Sequence, residues 1–367
     1  MMRLAAVFAV LLVATTALAE APLRPPSYMQ RPSDPRAVAA QACGAPGAPV
    51  PGLRLTSAYR GDTAEQRAHE DQLDPKALAA YQAQVAGLHQ YQFELTKRVD
   101  LYVKTGSAAM AACVLDWLQP WAAAGAMLAP MSLQGRFEAK WHAAAVCLGF
   151  LKISAAGGLA PDKLASVRAY LLRLGAAARD GNHADGKPAG SDDVIAHNNH
   201  AYWAGLAAAA CAIAGDDRKL FDWGAAQFRM AMADVDPAGY LPLELKRGAR
   251  ALGYHAMSLD ALTMLAELMV ANGLRPYDEA GGAFHRLAAA VAHGYLDPAS
   301  VARASGSPQE ADASFADYYL SWVELYHARF ASQRALPEFD RILAAHRPVG
   351  HRFLGGDVSL MIATAAH

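Results

Sequence analysis

The chain has 367 residues, of which 54% are hydrophobic and 18% are charged. That is enough to bury the core of one extended helical domain or of two smaller ones, and we favour one. Its 33 lysines and arginines almost balance its 34 aspartates and glutamates, so the formal net charge is −1. Since no bulk positive field would attract a polyanion, we expect no nucleic-acid partner.

The first 19 residues have the pattern of a secretory signal peptide. Arg3 precedes the apolar run Leu4–Val13, and Ala17–Ala19 supplies the small residues of a cleavage site. The run is too short to span a bilayer, and no later segment reaches about 20 uninterrupted apolar residues. We therefore predict cleavage after Ala19, a periplasmic location, no membrane anchoring and a monomer.

Residues 20–60 are rich in proline and glycine and are predicted to lie over a core as irregular structure. This segment contains Cys43, one of four cysteines that could form disulfides after export. A loop cysteine gains most from a tether, so we predict a Cys43–Cys113 disulfide and expect Cys147 and Cys211 to be buried as small hydrophobic residues. No CxxC motif, His/Cys cluster or acidic calcium loop indicates a metal, so we predict neither a metal nor a cofactor.

Residues 61–367 are predicted to form the main domain, because apolar residues recur there with a helical period and alternating strand patterns are nearly absent. The predicted helices are residues 75–104, 110–128, 137–155, 161–179, 201–214, 219–234, 250–271, 281–294, 315–331 and 336–346. Short breaker segments between them indicate paired antiparallel helices. Such pairs could form a solenoid, a bundle or an α/α toroid, and we find no fixed-period repeat typical of a solenoid.

Four polar hydrogen-bonding groups stand directly before an alanine-rich helix, at residues 197–200. Asn198 can cap the exposed amides, which places Asn199 and His200 beside the positive end of the helix dipole. An anionic group is favoured at that end, so the pattern indicates a carboxylate-binding site. Taken alone, His200 is more typical of a helix cap or a surface group than of a catalytic residue.

A second polar cluster occupies residues 240–255. If a helix began at Arg247, Arg247 and Tyr254 would lie nearly two turns apart and project from one face. Facing the first cluster, they would add a cation and a phenol to an imidazole and an amide. Taken alone, Arg247 could belong to a solvated basic turn with Lys246 and Arg250, and Tyr254 to the core.

These four groups suit elimination from a 4-O-linked uronate polymer. The C5 proton is too weakly acidic to remove while the neighbouring carboxylate is anionic, so Asn199, His200 and Arg247 would neutralise that carboxylate by hydrogen bonding and charge. In mannuronate and glucuronate, H5 and O4 lie on the same side of the ring, so Tyr254 could take H5 and then protonate O4. A phenol has an ordinary pKa of about 10, so Arg247 and a nearby imidazole would have to assist.

The sequence resembles the alginate lyases of polysaccharide lyase family 5. The similar motifs span most of the mature chain and are Asn198-Asn199-His200-Ala201-Tyr202-Trp203, Leu241-Pro242, Glu244-Leu245-Lys246-Arg247, Arg250-Ala251-Leu252, Tyr254-His255, Leu220-Phe221-Asp222-Trp223, Ala112-Cys113 with Trp117 and Trp121, Lys140-Trp141, and Phe353-Leu354-Gly355-Gly356. The resemblance implies an incomplete α/α toroid with a deep cleft and metal-independent β-elimination. It also implies that Asn199, His200, Arg247 and Tyr254 occupy the catalytic positions.

The resemblance further implies substrate-binding residues. Trp141 and Trp203 would line sugar subsites. From their charge and position near these motifs, Lys140 and Arg250 are themselves predicted to bind substrate. A mobile lid is implied near residues 56–61, where Tyr59 matches a lid aromatic.

The chain departs from the family pattern at Ala58, where close relatives have a lysine, and at Leu243, where relatives have an asparagine. These departures leave a lyase for poly-glucuronate or hyaluronate-like chains as the alternative to a mannuronate lyase.

Two other functions compete with the lyase. A glycoside hydrolase would need paired catalytic carboxylates, which do not accompany these motifs. A non-catalytic polyuronate-binding protein would use the same tryptophans and basic residues, but it would not explain why a tyrosine accompanies the arginine. Glu244 and Glu324 are expected to order the basic groups, and His255 to support its neighbours. We therefore predict a periplasmic lyase whose partner is an anionic polysaccharide, namely the mannuronate chains of alginate.

Overall fold

The computed structural model describes residues 21–38, 42–55, 74–184, 186–188, 194–310 and 318–365. The predicted signal peptide and the predicted lid segment with Ala58 and Tyr59 lie outside the described residues.

The described residues are predominantly helical. The helices are α1 (Pro75–Thr105), α2 (Ala108–Ala124), α3 (Leu133–Ile153), α4 (Pro161–Asp180), α5 (Val194–His197), α6 (Asn199–Gly215), α7 (Arg218–Asp234), α8 (Pro242–Leu245), α9 (Ala251–Ala271), α10 (Ala283–Leu296), α11 (Pro298–Ser305), α12 (Ser321–Phe330), α13 (Pro337–His346) and α14 (Val358–Ala365). Two short strands, β1 (Gly350–His351) and β2 (Gly356–Asp357), pair antiparallel. Every predicted helix has a counterpart, whereas the short helices α5, α8, α11 and α14 were not predicted.

Local sequence explains where the helices begin and end. Asp74 caps α1 by accepting a hydrogen bond from Lys76 N at 2.9 Å, and Pro75 occupies the first helical position, where its missing N–H costs nothing. Gly106 and Gly125 end α1 and α2 with φ values of 72° and 58°. That left-handed conformation is open to glycine at little cost and lets the chain turn sharply into the next antiparallel helix.

Helix α6 is the centre of the fold. It packs against α3, α4, α7 and α9, and its residues Ala207–Ala210 are completely buried. A Cβ atom on Gly224 of α7 would lie only 2.6 Å from the carbonyl oxygen of Gly205. Small residues therefore let the two backbones approach closely, and α6 is enclosed on several sides.

Two disulfides join elements that are distant in sequence. Cys43–Cys113 is present as predicted, with the Cα atoms 5.4 Å apart. Cys147 on α3 and Cys211 on α6 are buried as expected, but they are also bonded to each other, with the Cα atoms 5.2 Å apart, a pairing that was not predicted. Both lie in apolar helical sequence, and only the packing of α3 on α6 brings them face to face.

The described parts of the segment before α1, residues 21–38 and 42–55, lie over the helices in largely irregular structure, as predicted. The indole nitrogens of Trp117 and Trp121 donate to the carbonyl oxygens of Cys43 and Gly47, each at 3.1 Å. Both rings are buried, so these tryptophans anchor the segment to α2. Among the helices of the described ranges, none is long and apolar enough to cross a bilayer.

Candidate active site

The start of α6 provides the first part of the site. Asn198 caps the helix as predicted, because its side-chain oxygen accepts a hydrogen bond from His200 N at 2.9 Å. Asn199 is the first helical residue and is fully buried. Its side-chain oxygen has no hydrogen-bond partner within the described part of the chain. A buried acceptor of this kind is expected to meet a ligand or water.

Glu244 joins the two polar clusters. Its carboxylate lies on α8, is fully buried, and accepts a hydrogen bond from Asn199 N at 2.8 Å and from Asn199 Nδ2 at 3.3 and 3.2 Å. Arg247 Nε lies 3.8 Å from the same carboxylate. Burial raises the pKa of Glu244, while the Arg247 charge and the Asn199 hydrogen bonds oppose that rise. The carboxylate thus orders the amide and the guanidinium together.

Arg247 and Tyr254 meet, but not through a continuous helix as predicted. The chain turns at Gly248, with φ 58°, then forms a 3₁₀ turn at Gly248–Arg250, and α9 begins only at Ala251. This turn brings the Arg247 guanidinium carbon to 4.5 Å from the Tyr254 ring centre, and that of Arg250 to 5.1 Å. Two cations therefore lie against a partly buried phenol.

His200 is held as a neutral imidazole. Its ring stacks on Phe137, with centroids 3.7 Å apart, and Lys140 Nζ donates to its backbone oxygen at 3.1 Å. Burial lowers the pKa of His200 well below its usual range, and the charges of Lys140 and Arg247 lower it further. His200 can therefore contribute a hydrogen bond to a carboxylate, while the positive charge comes from Arg247.

The two tryptophans expected to line subsites have different surroundings. Trp141 is partly buried, and its ring lies 6.2 Å from His200 and 5.6 Å from Phe353. Trp203 is completely buried and lies 6.1 Å from Phe353. Trp141 therefore keeps part of its surface exposed near His200, whereas Trp203 offers no surface to a sugar in this arrangement.

The two predicted cationic contacts also differ. Lys140 is 1% exposed and donates to Asn182 Oδ1 at 3.2 Å as well as to His200, so it supports the start of α6 rather than facing a substrate. The Arg250 side chain is 12% exposed, and its Nε lies 3.7 Å from a carboxylate oxygen of Glu310. Arg250 remains beside Tyr254, at the side of the site.

Sequence reasoning missed an aromatic and cationic group near the C-terminus. His351 lies 4.5 Å from Tyr318 and 5.9 Å from Trp203 by ring centroids. The Arg352 guanidinium carbon lies 4.8 Å from the Phe353 ring. The motif that begins at Phe353 was the available signal, but the residues before it carry no pattern that indicates a site.

His255 and Glu324 have supporting roles, as expected. His255 Nε2 accepts from Leu241 N at 3.0 Å, so its Nδ1–H donates to Ala251 O at 2.7 Å. Burial lowers the pKa of His255 to about 4 and keeps this tautomer neutral. Glu324 accepts both hydrogen bonds of an ion pair with Arg347, at 2.7 and 2.8 Å.

The assembled groups can act on a carboxylated substrate. Arg247 supplies positive charge, Asn199 supplies an amide at a helix N-terminus, His200 supplies a neutral imidazole, and Tyr254 supplies a phenol flanked by cations. This set can neutralise a carboxylate and move a proton at an adjacent carbon.

Comparisons with known proteins agree on one family. The family model described as alginate lyase matches residues 60–301. An alginate lyase of Azotobacter vinelandii is 32% identical over 92% of this chain and 88% of its own length. An alginate lyase of Pseudomonas aeruginosa is 30% identical, with 91% and 89% covered, and a protein of Stenotrophomonas maltophilia named polysaccharide lyase is 32% identical, with 87% and 90% covered.

A solved structure resembles the fold. The crystal structure of alginate lyase A1-III from Sphingomonas species A1 matches with a TM-score of 0.72 and 23% identity, over 88% of this chain and 87% of that one. The similarity confirms the predicted α/α toroid.

Proposed function

The chain belongs to the alginate lyase family, and on that premise we propose that this polysaccharide lyase cleaves 4-O-linked mannuronate chains by syn β-elimination. The reaction would take place in the periplasm and would need no metal. The observation that carries the proposal is the buried Glu244 carboxylate, which orders Asn199 from one cluster and Arg247 from the other.

The first step of the proposed reaction is neutralisation of the uronate carboxylate. Arg247 would contribute charge, and Asn199 would contribute its side-chain amide, at the positive end of α6. Both groups are held before substrate arrives, so little reorganisation is needed as charge develops on the carboxylate in the transition state.

The second step is proton transfer. Tyr254 as phenolate would remove H5, and the same hydroxyl would then protonate O4, which leaves on the same side of the ring. The guanidinium groups of Arg247 and Arg250 near the ring would stabilise the phenolate. Neutral His200 would donate a hydrogen bond to the substrate carboxylate, because its lowered pKa disfavours taking up a proton, and the phenol proton would pass to solvent before H5 is removed. The product would carry a C4–C5 double bond conjugated to the carboxylate.

Mannuronate preference is proposed because relatives named alginate lyase cover most of this chain. Glucuronate keeps the same syn relation of H5 and O4, and a relative of equal identity is named only as a polysaccharide lyase. Poly-glucuronate is therefore the second candidate substrate. In guluronate the leaving oxygen lies on the opposite side, so a single shuttling phenol would serve it poorly.

The test is a panel of poly-mannuronate, poly-guluronate, poly-glucuronate and hyaluronate, followed by ultraviolet absorption of the unsaturated product. We expect the highest kcat/KM on poly-mannuronate. A higher value on poly-glucuronate would contradict the mannuronate assignment, and reducing ends without ultraviolet absorption would contradict elimination. The panel is repeated after exhaustive dialysis against a chelator, where retained turnover is expected and loss with recovery on metal addition would contradict a metal-independent reaction.

Two observations support the periplasmic location. The first 19 residues have a signal-peptide pattern, and the described cysteines form two disulfides, which persist in oxidising compartments. Cell fractionation with the natural N-terminus is the test, and activity that remains in the cytosolic fraction would contradict the proposal.

A further inference from the structure

Three side chains with metal-ligating atoms converge between α1 and α3, separate from the four proposed catalytic groups. His89 lies on α1, while Glu138 and His142 lie one turn apart on α3 and so share a face. The ligating atoms of all three lie within 4.8 Å of one another. Glu138 and His142 are buried, and the His89 side chain is 24% exposed.

His142 is the feature of this cluster that needs an explanation. It is 1% exposed, and among the described residues neither of its ring nitrogens has a hydrogen-bond partner. Buried polar atoms without partners are rare in folded proteins, because their loss of hydration is not compensated. Its Nε2 lies 3.4 Å from Glu138 Oε2, so the unpaired nitrogen faces the shared carboxylate.

The distances suit a common metal ion. His89 Nε2 and His142 Nε2 lie 3.1 and 3.4 Å from Glu138 Oε2. Two ligands at Zn–N and Zn–O distances of about 2.0–2.2 Å in a tetrahedral site are separated by roughly 3.3–3.5 Å. We propose that His89, Glu138 and His142 bind one Zn²⁺ ion, with water as the fourth ligand.

The surroundings of the cluster favour this assignment. Tyr81 donates a hydrogen bond to Glu138 Oε1, the oxygen that faces away from the histidines, and so orients the carboxylate as outer partners of metal ligands do. The exposed edge of His89 offers an entry path for the ion. The positive charge of Arg352 disfavours a metal cation at this cluster, and the negative charge of Glu138 offsets that effect.

A bound zinc ion would tie two helices together. Tyr81 and His89 lie on α1, which follows the predicted lid segment, while α3 carries Phe137 and Lys140 against His200. The ion would thus fix the distance between α1 and the helix that supports the start of α6. The sequence did not predict the site, because His89 and Glu138 are 49 residues apart and follow no recognised ligand spacing.

The test is zinc binding by the purified full-length mature enzyme after removal of metals, measured by calorimetry with ZnCl₂. Co²⁺ serves as a second probe, because its visible absorption reports coordination geometry. We expect one ion per chain and a higher melting temperature with zinc. Glu138→Gln and His89→Ala should each weaken binding about tenfold or more, and Tyr81→Phe should weaken it less.

His293→Ala is the matched control. This histidine also lies near two carboxylates, with Nδ1 2.9 Å from Glu338 and Nε2 3.9 Å from Asp297, but its side chain is 53% exposed. Its removal should leave zinc affinity unchanged. The proposal is overturned if the wild type binds no zinc, or if Glu138→Gln and His89→Ala bind zinc as tightly as the wild type. In that case, the cluster is a hydrogen-bond network only. Because the measurement is binding, it is independent of lyase activity.

Discussion

The carboxylate of Glu244 accepts hydrogen bonds from both the backbone and the side-chain amide of Asn199, across 45 residues of sequence. It also lies beside Arg247. We expect Glu244→Gln to lower kcat about 100-fold, because a neutral amide no longer fixes both groups and a small displacement is costly in catalysis. KM should change much less. Steady-state kinetics on poly-mannuronate measure both quantities.

Glu324→Gln is the control for loss of a buried carboxylate. Glu324 is 3% exposed and pairs with Arg347, outside the catalytic groups. Its variant should be less stable but should keep kcat near the wild-type value. An equal loss of kcat in both variants would show that Glu244 acts through general stability.

Tyr254→Phe should lower kcat about 100- to 10,000-fold, because the variant lacks the group proposed to move the proton. The ring and its contacts with Arg247 and Arg250 can remain, so folding and substrate binding should persist. Product formation and binding of the polymer are measured separately. Tyr295→Phe, whose hydroxyl contacts His346 at 3.0 Å, should behave as the wild type. Wild-type turnover in Tyr254→Phe would exclude the proposed role.

Arg247→Ala should lower kcat/KM about 100- to 1,000-fold, because the developing charge on the substrate carboxylate loses its cation. Arg247→Lys should recover part of the activity, since it restores the charge but not the planar pair of donors. Arg229→Ala, which breaks an exposed pair with Glu279, is the control and should leave kcat/KM unchanged. Equal kinetics in all three variants would contradict the assignment.

The buried His255 predicts a pH-dependent stability. Its pKa is about 4 in the folded protein and about 6.5 when unfolded. Because the pKa of His255 is lower in the folded protein than in the unfolded chain, neutral His255 contributes fully to the free energy of unfolding above about pH 6.5. That contribution is lost as the pH falls towards 4. The gap corresponds to about 3 kcal/mol.

The measurement is the free energy of urea unfolding at several pH values. The difference between the wild type and His255→Gln should shrink by about 3 kcal/mol from pH 7 to pH 4. A constant difference for His255→Gln would contradict the prediction.

The Cys147–Cys211 disulfide should contribute strongly to stability. It closes a loop of 64 residues, for which constraint of the unfolded chain corresponds to about 4 kcal/mol. We expect the double variant Cys147→Ala/Cys211→Ala to lose stability of that order in urea unfolding. Removing the Cys43–Cys113 bond, with a separation of 70 residues, should cost a similar amount. An unchanged unfolding midpoint in the first variant would contradict the estimate.

Most of the helical fold could be predicted, because it depends on local signals. The apolar period located helices such as α1 and α9, and breakers marked their ends. The short helices α5, α8, α11 and α14 were missed, since each has only four or eight residues, too few for an apolar period to show. The Cys147–Cys211 bond was missed because it depends on tertiary packing.

The candidate site was predicted in composition but only partly in geometry. The helix cap at Asn198 follows from local chemistry and was found from sequence. The proximity of Arg247 and Tyr254 was predicted from a continuous helix through both residues. The structure has no such helix, because the chain turns at Gly248 in a left-handed conformation. The neutral state of His200 and the burial of Lys140 depend on packing around the ring and the amine. No sequence pattern reports such packing.

The enclosure of α6 limits how this enzyme can adapt to other sugars. Asn199 and His200 begin a helix whose backbone touches that of α7 through Gly205 and Gly224. A shift of α6 to fit a different ring would disturb every helix packed on it. New substrate preferences are therefore expected to arise from substitutions in the surrounding loops and in the turn at Gly248, while the start of α6 stays fixed.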